Sequence, residues 1–115
     1  VDRALAALSS WRVDENRWVR RTVGVAVHLW AKRSRGANEC SKQVKQLLTF
    51  LEPMFEERDM DAIKGVGWGL KTLGRHYPEL VANWLVQQRD RSHRALMLRK
   101  ATTYLSKKQR ALIGK

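Results

Sequence analysis

Lys64, Trp68, Lys71 and Arg75 follow one another at steps of three or four residues, with Gly67 beside the tryptophan. On an α-helix that spacing puts them on one face. Ammonium and guanidinium groups in a row can hold phosphates. An indole set among them can pack on a sugar or base, or engage a cationic base through its π face. A second stretch repeats the pattern with Arg17, Arg21, Gly24, His28 and Lys32, and no acidic residue falls on that face. His93, Lys100, Tyr104 and Lys107 make a third, thinner version. Solvated helices normally mix both signs of charge. Here the acids gather elsewhere, at Glu52, Glu56, Glu57, Asp59 and Asp61.

Other chemistry finds little support. Cys40 is the one cysteine, which excludes an intramolecular disulfide and a Cys-rich zinc site. His28, His76 and His93 stand singly, without metal-ligand spacing, and no metal or cofactor is expected. Gly65, Gly67 and Gly69 do not form a phosphate loop, because no strand precedes them and no GK[ST] ending follows. Inside a helix each costs up to about 1 kcal/mol relative to Ala. Close approach of a neighbouring helix, or of a ligand backbone at Gly67, would offset that cost.

The elements that must carry these residues are helices. Apolar positions recur with helical period, strand alternation is nearly absent, and only Pro53 and Pro78 interrupt. Seven helices are predicted, over residues 2–9, 14 to about 32, 41 to about 57, 60–75, 78–88, 92–105 and 107–113. Asp14 is the candidate cap of the second, Asp59 or Asp61 stands near the start of the fourth, and Ser106 caps the last. Pro53 should kink or end the third, and Pro78 should open the fifth. Val19, Val23, Ala26 and Trp30 face the core in the second helix, and Ile63, Val66, Leu70 and Leu73 in the fourth. Trp11, Trp18, Trp30 and Trp84 read as core or junction residues, whereas Trp68 projects from the basic face.

Longer helices alternate with shorter ones, and the segments WVRRTVGVAV, AIKGVGWGLK and MLRKATTYLS look alike. Arg21, Lys64 and Lys100 recur 43 and 36 residues apart, around the period of two-helix HEAT-type repeats. Stacked repeats would set the three stripes side by side on the concave surface of an all-α superhelix of six to seven helices.

Twenty-three Lys and Arg against eleven Asp and Glu leave a net charge of +12 on 115 residues. Such an excess suits a polyanion or an anionic surface, with a solubilising surface as the bland alternative. The length fits one domain, 1–115, and a reducing cytosol fits the single cysteine. No apolar run reaches the roughly 18 residues of a membrane helix, and no signal-peptide layout opens the chain. The expected partner is duplex DNA, met mainly through its phosphate backbone at Arg17, Arg21, His28, Lys32, Lys64, Trp68, Lys71, Arg75, Lys100 and Lys107. A scaffold for an acidic protein would carry similar charge. An exposed terminal repeat would also favour a homodimer.

The stretches WRVDENRWVRRTVGVAV and DAIKGVGWGLKTLGRHYPELVANWL resemble the DNA alkylation repair family, HEAT-like-repeat DNA glycosylases of the AlkD type. RALMLRKATTYL is a weaker match, and the likeness covers roughly residues 11 to 100. The resemblance implies a superhelix with duplex DNA in its concave face and hydrolytic removal of positively charged N3- or N7-alkylated purines. It implies that Arg21 lines the DNA backbone near the lesion, that Trp68 stands in the active-site cleft, and that Lys71 replaces a DNA-contacting arginine. The aspartate that the family credits with stabilising the sugar cation sits on an earlier helix, which would lie before Val1. Neither Asp2 nor Asp14 occupies that motif, so no catalytic residue is identified beyond the cleft candidates Arg21 and Trp68. The chain is then expected to be the C-terminal part of a longer domain.

Overall fold

The structure, a computed structural model, describes residues 2–113. Helix α1 (Asp2–Leu8) runs into a 3-10 turn (Ser9–Val13) and is followed by α2 (Arg17–Ser34). A second 3-10 turn (Asn38–Cys40) leads into α3 (Ser41–Leu51), which tightens into a third (Glu52–Glu56). Helices α4 (Met60–His76), α5 (Pro78–Gln88), α6 (Ala95–Ala101) and α7 (Lys107–Ile113) complete the order. Among the described residues there is no strand, and the fold is all-α, as the periodicity predicts.

Local chemistry explains most boundaries. Asn16, rather than Asp14, caps α2: its side-chain oxygen accepts the Trp18 backbone N–H at 2.8 Å, and Asp14 instead accepts the N–H of Asn16 itself. Asp59 caps α4 through the N–H groups of Asp61 and Ala62. Pro53 ends α3 and Pro78 opens α5. At α7 Ser106 and Gln109 bond reciprocally, side chain to backbone, in a capping box. Helix α6 is shorter than predicted. Arg94 at its cap offers no side-chain acceptor, and at the far end Thr102 and Thr103 turn their hydroxyls onto the carbonyls of Leu98, Arg99 and Lys100. Such back-bonding competes with the helical ladder. The chain there closes into tight turns, and Tyr104 leaves the helix.

The helices form two layers. Helices α2, α4 and α6 lie side by side in one, and α3, α5 and α7 follow one another in the second. Between them Val23, Val27, Leu51, Phe55, Ile63, Leu70, Leu73, Leu85 and Met97 are buried, and Trp84 meets Phe55 edge-on. That arrangement fits a helical-repeat superhelix. Trp11 and Trp18 depart from the prediction, being 40% and 52% exposed. Trp18 sits in the first turn of α2, where the Arg17 guanidinium covers its ring.

Helix α4 is the centre of the first layer, and its glycines explain how it fits. A Cβ on Gly24 would strike the backbone of Gly65, and one on Gly69 would meet the Gly24 carbonyl oxygen at 2.6 Å. Backbone therefore touches backbone between α2 and α4. On the other flank, Lys100 of α6 lies over Gly67, its Cδ 2.7 Å from where a Cβ would stand. At the entry to both helices Arg20 forms a two-pronged ion pair with Glu57, at 2.7 and 3.3 Å, and also binds the carbonyls of Asp14 and Glu15. Glu57, hydrogen-bonded and opposite in charge, holds the guanidinium firmly protonated.

Substituting the central glycine should therefore separate the helices. Gly24→Ala is expected to lose about 2 kcal/mol or more, the cost of overpacking against a backbone that cannot yield. Gly74→Ala meets nothing nearer than 3.4 Å and should be neutral or gain up to about 1 kcal/mol of helix propensity. Thermal unfolding followed by circular dichroism measures both, and equal effects at the two sites would refute this account of α2 against α4.

Candidate nucleic-acid interface

One turn beyond the glycine contact, α2 and α4 enclose a cleft of about 200 Å³. His28 and Lys32 line it from α2, and Trp68, Lys71, Thr72, Arg75 and His76 from α4. Tyr104, in the turns after α6, closes the third side. Leu70 and Leu73 face the core and hold α4 in register, which turns the other face of the helix outward. No carboxylate lines this cleft.

Two aromatic contacts organise it. His28 stacks on Trp68 with ring centroids 3.9 Å apart and planes inclined by 23°. Trp68 remains 39% exposed. The Thr72 hydroxyl donates to the Trp68 carbonyl at 3.1 Å, and its oxygen lies 2.6 Å from His28 Nδ1. A hydroxyl has one proton, which Thr72 gives to the Trp68 carbonyl, so Nδ1–H donates to Thr72, and Nε2 is the unprotonated nitrogen whenever the ring is neutral. Burial, and then the charge of Lys32, push the His28 pKa down. Lys71 Nζ and the Arg75 guanidinium both approach the Tyr104 ring, at 5.6 and 5.5 Å from its centroid. That ring gives two neighbouring cations a common neutral surface.

The predicted site residues separate into groups. His28, Lys32, Trp68, Lys71 and Arg75 meet in the cleft. Arg21, Lys64 and Lys100 lie further up the same layer. Arg21 rests against Gly65, one residue out of register with Lys64, while Lys64 is exposed and Lys100 is half-buried over Gly67. Among the described residues Arg21 and Lys64 have no hydrogen-bond or ion-pair partner. Arg17 differs: its Nε lies 3.3 Å from Asp61, so an acid does reach the edge of the basic surface. Asp61 belongs to the first turn of α4, where the helix dipole favours a negative charge. Lys107 opens α7, in the other layer, and His93 packs on Phe55 with Nδ1 bonded to the Arg91 carbonyl. Neither lines the cleft.

Sequence reasoning left out Thr72 and His76 as site residues. His76 lies one residue after Arg75, off the strict stripe, and Thr72 is 92% buried yet works through its hydroxyl. Their spacing on α4 was visible, but the pairing with α2 was not. The assembled surface offers cations for phosphates and an indole with one face covered. Among the described residues there is no cluster suited to a metal ion, and no helix long and apolar enough to cross a membrane.

The family model described as DNA alkylation repair enzyme matches residues 1–105. Nothing among the curated proteins and nothing among the solved structures matches the chain.

His28 also links stability to pH. Its pKa in the folded chain lies below the ordinary 6.5, so between those two values the unfolded chain binds more protons. Stability contributed by neutral His28 is complete above pH 6.5 and declines as pH falls through that window. Urea unfolding at pH 7.5 and 5.5 should show a larger loss in the native chain than in His28→Phe. Identical losses in the two proteins would refute the assignment.

Proposed function

Because the chain belongs to the DNA alkylation repair enzyme family, we propose that the α2–α4–α6 surface binds the phosphate backbone of duplex DNA, with Trp68 at the lesion. The observation that carries this reading is the cleft itself. Lys32, Lys71 and Arg75 converge around Trp68 with no acid among the lining residues, an arrangement suited to a polyanion with an aromatic contact at its centre. Arg21, Lys64 and Lys100 extend the track along the helices. Arg17 joins it when a phosphate displaces Asp61, and Lys107 contributes only at long range. The lesions proposed are N3- and N7-alkylated purines, whose positive charge an indole face can accept.

Excision is a separate matter. Glycosidic cleavage passes through an oxocarbenium-like state that needs an anion near the sugar. The cleft lining offers none. Asp61 lies seven residues before Trp68 on α4, about 10 Å along the axis, and is already engaged by Arg17. The reading proposed for residues 1–115 is a DNA-binding surface of alkylation repair, with weak or absent excision expected of this chain by itself.

Filter binding against salt tests the clamp. With about six phosphate contacts, log affinity should fall against log salt with a slope of roughly −5. The double substitution Lys71→Gln, Arg75→Gln should weaken binding to all duplex sequences and flatten the slope by about 2. Absence of binding at low salt would instead favour an acidic protein as the partner. A base-release assay on duplex carrying N7-methylguanine should show release no faster than without protein, and robust turnover would overturn the non-catalytic reading.

A further inference from the structure

The contacts of His28 are more specific than phosphate binding requires. Its ring lies flat on one face of Trp68 while Nδ1–H is tied to Thr72, which is itself tied to the Trp68 carbonyl. The three residues form a closed loop across two helices. Outside the loop Trp68 stays 39% exposed, and Nε2 has no hydrogen-bond partner among the described residues.

We infer that His28 is a positioning residue that clamps Trp68 with one face covered, and that it must stay neutral for the open face to accept a cationic ring. This rests on the proposed reading of the cleft as the lesion site. An indole has one π system shared by its two faces. An imidazolium stacked on the covered face would draw on the electron density that a cation on the open face needs, and would repel that cation through the ring. It would also add a fourth positive charge beside Lys32, Lys71 and Arg75, which raises affinity for any phosphate backbone alike. Neutral His28 therefore favours the alkylated base over unmodified DNA, and charged His28 reduces that preference.

The groups facing His28 are consistent with a neutral ring. Lys32 follows it on α2; Lys71, Arg75 and His76 face it from α4; Tyr104 faces it from the turns after α6. No carboxylate is among them to hold a proton on the ring, and burial together with Lys32 lowers its pKa.

The clamp is tested first in the free protein. Trp68 emission, isolated by subtracting the spectrum of Trp68→Phe, should titrate with a midpoint below the ordinary imidazole value, because a stacked imidazolium withdraws excited-state electron density. His28→Phe should abolish that titration and leave emission flat. Thr72→Ser should retain it, whereas Thr72→Val should loosen the ring and shift Trp68 emission toward that of a solvated indole. Emission that ignores pH in the native chain, or that titrates equally in His28→Phe, overturns the clamp.

Selectivity is tested next, as the ratio of affinities for N7-methylguanine duplex and unmodified duplex. That ratio should be about fivefold higher at pH 7.5 than at pH 5.5 in the native chain, and independent of pH in His28→Phe. A ratio flat in both proteins overturns the claim that neutrality matters. If neither duplex binds, the nucleic-acid reading fails, and the fluorescence titration still decides whether His28 clamps Trp68.

Discussion

The backbone contact between Gly24 and Gly65 is the constraint on which the rest of the first layer depends. Helices with ordinary side chains at their crossing keep their axes 8–10 Å apart. Removing both Cβ atoms lets α2 and α4 come closer than that. His28 lies four residues after Gly24, and Trp68 three after Gly65, so both stand one turn beyond the contact. There the two rings stack, with centroids 3.9 Å apart and planes inclined by 23°. Several costly glycines in α4 are thus the condition for the aromatic pair. Gly67 serves the opposite flank, where Lys100 lies across the helix with its stem against the backbone.

Packing of this kind also resolves an electrostatic difficulty. Lys32, Lys71 and Arg75 share one small cleft without a carboxylate, and like charges this close repel. The surface reduces that cost in two ways. Tyr104 presents its ring to Lys71 and Arg75 together, worth about 0.5–1 kcal/mol for each exposed cation. Burial, and then the charge of Lys32, lower the His28 pKa and so disfavour a fourth charge. Three arginines are matched by acids: Arg20 by Glu57, Arg91 by Glu56 and Arg17 by Asp61. In the cleft, Lys32, Lys71 and Arg75 have no such partner among the lining residues.

Much of this was legible along single helices and little of it between them. The basic face of α4, its core residues and the role of Trp68 as an outward side chain follow from spacing alone, because all lie within one regular element. The start of α2 was misplaced by two residues because Asp14 and Asn16 are both good caps, and only the backbone path shows which oxygen reaches an N–H. Helix α6 was overextended because Thr102 and Thr103 fit the helical pattern while their hydroxyls undo it. The Arg17–Asp61 pair joins residues 44 positions apart, and one-dimensional charge sorting put Asp61 with the distant acids. Thr72 was invisible for another reason: a buried threonine in a helix reads as core, and its function depends on a histidine from another segment.

On the proposed reading, the residues lining the cleft are suited in magnitude to recognising a cationic base. An indole face stabilises a neighbouring cation by about 0.5–2 kcal/mol, depending on desolvation. A carboxylate at 4 Å contributes about 4 kcal/mol even at an effective dielectric of 20. Two kcal/mol corresponds to roughly a thirtyfold preference, which on the proposed reading would separate an alkylated purine from its neutral parent. Enzymes typically accelerate reactions by at least about a millionfold, and a π face alone falls far short of that. None of the residues lining the cleft around Trp68 is a carboxylate, so on the proposed reading they would bind a cationic purine without supplying the anion that bond cleavage requires.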